Sequence, residues 1–299
     1  MAISRGSTIS IHEDVDFFRE AVLFTAGQTG MNPALVEKDY YCSVLLAYLY
    51  EHEDTQLVFR GGTSLGKVYA DFYRLSEDLD FVISTPSDAP RSERRKRMAP
   101  VKEWLSNIPN KISVFALPEG IKGHNNSKQH IAYVAYNSSV AITNEPAQIK
   151  IEVGLRETLL VPPVREKART LVLNPFTKSP AVVEFDALVL ALEEAYAEKI
   201  RAALTRREPA IRDFCDVDYA VSRLDLDLKN PYLIELGIKK LKVPDNDPID
   251  ISHSRKAELQ TQLDTRLKPV LRRQDFEKFA LDRAFELVAE MASRIMDKG

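Results

Sequence analysis

The sequence predicts an α/β protein, a mixed sheet with helices packed against it, followed by an α-helical C-terminal half. Three observations lead there. Short apolar runs at residues 57–59, 79–83 and 148–153 are too brief for helices and carry strand-type alternation or β-branched residues. Longer stretches between them repeat their apolar residues at helical spacing. After the proline-rich Val161-Pro162-Pro163 and the segment Asn174 to Pro180, only helical spacing continues, which sets a boundary between 1–180 and 181–299.

The elements follow in order. Two helices open the chain, Ile11 to Ala26 and Pro33 to Tyr50, the second announced by Asn32-Pro33, a cap followed by proline at the first helical position. Leu57-Val58-Phe59 is a short strand that runs straight into Gly61-Gly62, after which Ser64 to Tyr73 forms a short helix. Leu79 to Ile83 is the next strand, and its period of two sends Asp78 and Asp80 to one face, Leu79 and Phe81 to the other. A charged helix is expected from Ser87 to Asn107, then strands at Lys111 to Ala116, Ile131 to Tyr136 and Gln148 to Val153. The later helices cover Phe185 to Thr205, Pro209 to Arg223, Pro231 to Ile238, and Arg255 to Met296 with a break near Lys268-Pro269.

Composition narrows the class. Across 299 residues, 44% are hydrophobic and 28% charged, which suits a soluble globular protein with a sizeable core. Lys+Arg 41 against Asp+Glu 44 gives a net charge of -3, so a nucleic-acid partner must be met by a local patch. The N-terminal stretch has no apolar core of a signal peptide, and the most apolar run, Val44 to Tyr50, falls short of the roughly 20 residues needed to span a bilayer. Cys42 and Cys215, far apart in apolar settings, suit reduced thiols in a cytoplasmic protein. His124 and His130, near Lys122 and Lys128, read as surface residues with no metal assigned. Arg91, Arg94, Arg95, Lys96 and Arg97 read as a solvated helix face, with a phosphate-tracking patch as the alternative.

One constellation carries chemistry. Two glycines directly after a strand let backbone approach a phosphate, and the N-terminus of the following helix offers free N–H groups and a favourable dipole. Gly61, Gly62, Thr63 and Ser64 stand in that position, the last two adding hydroxyl donors. About fifteen residues later Asp78 and Asp80 share a strand face, with the hard oxygen ligands that Mg²⁺ or Mn²⁺ demands. Two adjacent carboxylates repel unless a cation intervenes. A glycine pair alone is usually a turn and an Asp-x-Asp alone usually a solvated strand end. Their order, spacing and strand context together point to a nucleoside triphosphate held over divalent cations for nucleotidyl transfer. Glu152, pointing away from the apolar set of its strand, is the candidate third metal-binding carboxylate; the plain alternative is a solvated strand face shared with Lys150.

Four strings carry a resemblance: EKDYYCSVLLAYL from Glu37, LVFRGGTSLGKVY from Leu57, RLSEDLDFVI from Arg74 and AEKIRAALTRREPAIRDFCDVDYAV from Ala197. Together they resemble the AbiEii/AbiGii family of nucleotidyltransferase toxins, within the polymerase-β-like nucleotidyltransferase superfamily. The resemblance covers discrete blocks over roughly the first 220 residues. It implies that Gly62 and Ser64 belong to the phosphate turn and Asp78 and Asp80 to the metal pair. It further implies that Lys199 contacts the triphosphate, that Asp213 and Asp216 form a later acidic motif, and that Ser76 touches nucleotide or serves as a turn serine. Arg60 stands where the family often has Lys, and Tyr41 where it often has Trp. By pattern alone Lys199 is an exposed solubilising residue of an amphipathic helix, and Arg212-Asp213 an internal ion pair.

The resemblance implies a toxin that moves a nucleoside monophosphate onto an RNA acceptor, the tRNA 3′ end, and so blocks translation in a toxin–antitoxin or abortive-infection system. Its implied antitoxin is a separate, DNA-binding protein. Two other readings compete: nucleotidylation or phosphorylation of a protein, including the chain itself through Ser64 or Ser76, and a non-catalytic nucleotide-binding regulator.

Overall fold

Asn32 starts its helix as the sequence requires, its side chain accepting a hydrogen bond from the Ala34 amide at 2.9 Å ahead of Pro33. The computed structural model describes residues 9–52, 55–141 and 145–298, and the chain divides into two units, Met1–Leu159 with Pro163–Val189, and Leu160–Pro162 with Leu190–Gly299.

In the first unit, helix α1 (Val15–Thr29) is capped by Asp14 and stops at Gly30, whose φ of 71° favours a residue without Cβ. Helix α2 (Pro33–Tyr50) is buried along most of its length, including Glu37 and Asp39. Then come β1 (Val58–Arg60), a short helix α3 (Gly61–Ser64) continued by a π-helical turn over Leu65–Tyr69, β2 (Leu79–Val82), α4 (Arg91–Lys111), β3 (Phe115–Ala116), β4 (Lys122–His124), β5 (Gln129–Tyr136), β6 (Ala147–Gly154), β7 (Val164–Ala168) and β8 (Phe185–Val189). The strands form one sheet in the order β3-β5-β6-β2-β1-β8-β7, with β4 paired to β5. At its centre β2 runs antiparallel to β1 and parallel to β6.

One sheet face is apolar. Phe59, Leu79, Phe81, Ile149, Ile151 and Val153 are all 0% exposed, and they join Val44, Leu45 and Leu49 of α2 with Met98, Val101 and Leu105 of α4 in a single core. The alternate positions Arg60, Asp80, Lys150 and Glu152 are only half-buried and face the other side. Strand alternation sets the polarity of that face.

The second unit is helical: α5 (Leu192–Thr205), α6 (Ile211–Arg223), α7 (Pro231–Leu241), α8 (His253–Thr261), α9 (Arg273–Phe276) and α10 (Leu281–Lys298). Phe214 of α6 stacks on Phe285 of α10 with ring centroids 5.8 Å apart. Cys42 and Cys215 are both buried, and neither is in a disulfide. Among the described residues no helix is long and apolar enough to cross a membrane.

The expected mixed α/β fold is observed, with local departures. The helix expected from Phe185 begins only at Leu192, because Phe185–Val189 pairs with β7 and, through Val189, with Phe59. Strands β4 and β7 were not expected from the sequence, β7 because Val-Arg-Glu-Lys-Ala is too polar to read as one. The expected strand from Lys111 shrinks to Phe115–Ala116, since α4 carries on to Lys111 through two prolines. The break expected near Lys268-Pro269 is a 3₁₀ turn at Lys268–Val270, but the helix before it ends earlier, at Thr261, in a π turn, and the part after it divides into α9 and α10.

Candidate active site

The acids and the glycine turn meet through strand register. Arg60 is the cross-strand partner of Asp80, so the turn that leaves β1 begins beside that carboxylate. Gly61 has a φ of +78°, and a Cβ built on it would lie 2.6 Å from Asp80 Oδ2. A Cβ on Gly62 would collide with the guanidinium of Arg74, whose Cζ would be 3.1 Å away. The missing side chains thus admit a carboxylate and a guanidinium against the turn. Thr63 Oγ1 donates to the Asp78 carbonyl at 2.5 Å, tying the turn to the residue before β2. Ser64 Oγ donates to the Phe59 carbonyl at 3.4 Å. Both hydroxyls, expected to face phosphate, here bond to the backbone carbonyls of Asp78 and Phe59.

On the other flank of β2, Glu152 of β6 is the register partner of Asp80. Lys150 Nζ lies 2.7 Å from Glu152 Oε2, and Gln129 Nε2 donates to Oε1 at 2.6 Å. Burial raises the Asp80 carboxyl above the usual carboxylate range; Arg60 opposes that, Glu152 and Asp78 reinforce it, and Lys150 opposes it again. Burial likewise works against the Glu152 charge, but its hydrogen bonds from Lys150 and Gln129 prevail and hold it low. Lys150 is held high because Glu152, Asp78 and Asp80 outweigh its own desolvation.

These donors suit a hard divalent cation: carboxylate oxygens from Asp78, Asp80 and Glu152 on one side of a sheet, one of them raised by burial and by its acidic neighbours. Among the described residues no group of three or more His, Cys, Asp or Glu is gathered closely enough to hold a metal as it stands.

Ser76, half-buried, lies two residues before Asp78, and the neighbouring Glu77 pairs with Lys38 of α2 at 3.2 Å. In the helical unit Lys199 Nζ lies 3.0 Å from Asp213 Oδ1 and 2.8 Å from Asp216 Oδ2. Arg206 stands 3.4 Å from the other Asp213 oxygen. Lys199 is therefore held in an ion-pair cluster at 12% exposure and does not extend into solvent.

Two sequence expectations change, and one residue was missed. His130 is fully buried rather than at the surface, its two ring nitrogens without hydrogen-bond partners, and burial first, then Lys102 and His124, push it down to about 4. Within the basic run, Arg94 is buried and donates to the Leu155 and Ser87 carbonyls, and Arg97 donates to that of Ser84, so two of the five cations are structural. Arg74 received no role from the sequence; its signal, an arginine at 3% exposure against a glycine, exists only in three dimensions.

A family model described as nucleotidyl transferase AbiEii toxin, type IV toxin–antitoxin system, matches residues 44–290. Among solved structures, MenT4, a nucleotidyltransferase toxin from Mycobacterium tuberculosis H37Rv, aligns with a TM-score of 0.58 at 19% identity, over 93% of this chain and 90% of that one. JHP933 from Helicobacter pylori aligns with a TM-score of 0.50 at 17% identity, over 90% and 94%. At such identities these two establish a shared fold. A comparison with curated proteins gives no significant match.

Proposed function

We propose, because the chain belongs to the AbiEii family of nucleotidyl transferase toxins of type IV toxin–antitoxin systems, that it moves a nucleoside monophosphate from a nucleoside triphosphate onto an RNA hydroxyl. The observation that carries the reading is the approach of Asp80 to Gly61 on a sheet face that also bears Glu152. A divalent cation, Mg²⁺ or Mn²⁺, held by Asp78 and Asp80 with Glu152 as third donor would neutralise phosphate charge and acidify the attacking hydroxyl. The chain's residues supply position. The first N–H groups of α3 receive the outer phosphates, Thr63 and Ser64 keep the turn rigid, and Arg74 holds it from behind. The acceptor oxygen bonds to the α-phosphorus as the bond to the bridging oxygen breaks; pyrophosphate leaves with the electron pair and the hydroxyl proton passes to solvent.

The family pattern supports a triphosphate contact for Lys199, whose ammonium is fixed by Asp213 and Asp216. The same pattern supports the tRNA 3′ end as acceptor, blocked translation as outcome, and a separately encoded DNA-binding antitoxin. Incubation with radiolabelled nucleoside triphosphates and total RNA tests the reading. Label should enter small RNA with Mg²⁺ or Mn²⁺ present, vanish on chelation, and fall at least roughly a hundredfold in Asp80→Ala. Label that enters protein instead, or an Asp80→Ala variant with full activity, would overturn it.

A further inference from the structure

The polar face of the sheet continues past the acids. Register sets Arg60, Asp80, Glu152 and Ile131 in one row, and Lys150 opposite Tyr133 in the next. Cross-strand partners point to the same side of a sheet, so Tyr133 shares its side with the carboxylates. Its neighbours Ala132 and Val134 turn into the core at 1% and 0% exposure, whereas Tyr133 itself is 44% exposed. With strands about 4.8 Å apart, β5 lies two strands, roughly 10 Å, from β2. That is the span of one nucleoside.

The sheet order also gives direction. The glycine turn leaves β1, and the strands run β5-β6-β2-β1, so turn and tyrosine flank the acids from opposite sides. A triphosphate whose outer phosphates rest on the turn has its leaving pyrophosphate on the β1 side. In-line displacement brings the attacking oxygen from the opposite side, over β6 and β5. We propose that Tyr133 is a stacking platform for the base of the acceptor's terminal nucleotide. The proposal rests on the nucleotidyl-transfer reading above and deepens it: the acceptor presents a nucleobase, because a half-exposed phenol ring offers a base a flat apolar face regardless of its sequence.

The test uses the full chain as wild type, Tyr133→Phe and Tyr133→Ala. Two bindings are measured: a fluorescent single-stranded oligoribonucleotide with a free 3′ hydroxyl, by anisotropy, and a mixture of the four radiolabelled nucleoside triphosphates with Mn²⁺, by filter retention. Tyr133→Ala should weaken oligoribonucleotide binding about tenfold or more, raise the KM for RNA with kcat nearly kept, and leave triphosphate binding unchanged. Tyr133→Phe should match wild type in every measurement. The proposal is overturned if Tyr133→Ala binds RNA as wild type does, or if Tyr133→Phe loses as much as Tyr133→Ala. Failure of the underlying reading has a different mark: transfer that persists in Asp80→Ala.

Discussion

Asp80 sits in an electrostatic conflict. Its carboxyl is raised above the usual range by burial, with Glu152 and Asp78 adding to the shift and Arg60 and Lys150 opposing it. A raised carboxyl binds its proton more tightly in the folded chain than in the unfolded one. Its contribution to stability is therefore present at low pH and lost as pH rises through the folded value. In metal-free protein at pH 7, Asp80→Asn should be more stable than wild type, and the gain should vanish below the carboxylate range. Added Mn²⁺ should raise the melting temperature of wild type more than that of the variant. Thermal unfolding at pH 7 and pH 4, with and without Mn²⁺, checks this; an asparagine variant less stable at pH 7 would mean that Asp80 is fully compensated by Arg60.

At the scale of elements, the short helix that carries the glycines and the π turn after it are anchored by Lys67. Lys67 Nζ, 1% exposed, lies 2.7 Å from Asp39 Oδ1, 3.0 Å from the Asp39 carbonyl and 2.7 Å from Ser43 Oγ, all on α2. Asp39 Oδ2 in turn accepts the Leu171 amide at 3.2 Å. Lys67→Met should cost about 3–5 kcal/mol, because it strands a buried carboxylate, and denaturant midpoints would show it; a loss below about 1 kcal/mol would mean that Asp39 finds water. The sequence made much of this region legible. Alternation fixed the faces of Asp78 and Asp80, and the same rule put Glu152 opposite its apolar neighbours. It could not reveal that Lys67 is internal, since a lysine on a short helix reads as solvated. Nor could it separate Phe185–Val189 from α5, because Phe-Asp-Ala-Leu-Val-Leu-Ala-Leu fits a strand or a helix until a pairing partner decides. That partner, β7, is itself polar and so invisible to periodicity.

For the whole chain, the connections matter as much as the cores. The path passes from one unit to the other at residues 159–160, 162–163 and 189–190, and the brief visit of Leu160–Pro162 to the helical unit is secured by one carboxylate. Glu194 Oε2 accepts the Leu160 amide at 3.0 Å and the Val161 amide at 2.7 Å, while its Oε1 lies 2.7 Å from Lys240 Nζ, which also holds Glu198 at 3.0 Å. Lys240 and Glu194 are both 0% exposed. A fully buried pair contributes little net stability against its desolvation, yet removing one member leaves the other charge without relief. Lys240→Met alone should therefore destabilise the helical unit by about 3–5 kcal/mol. Adding Glu194→Gln removes the stranded charge and keeps an oxygen for one amide, so the double variant should recover at least about 1 kcal/mol relative to the sum of the single changes. Hydrogen exchange at the amides of α5 and α7 reads the local stability of this unit without assuming that the chain unfolds in one step. Strict additivity there would show that Lys240 and Glu194 act independently, and that the clasp on Leu160 and Val161 owes nothing to the lysine.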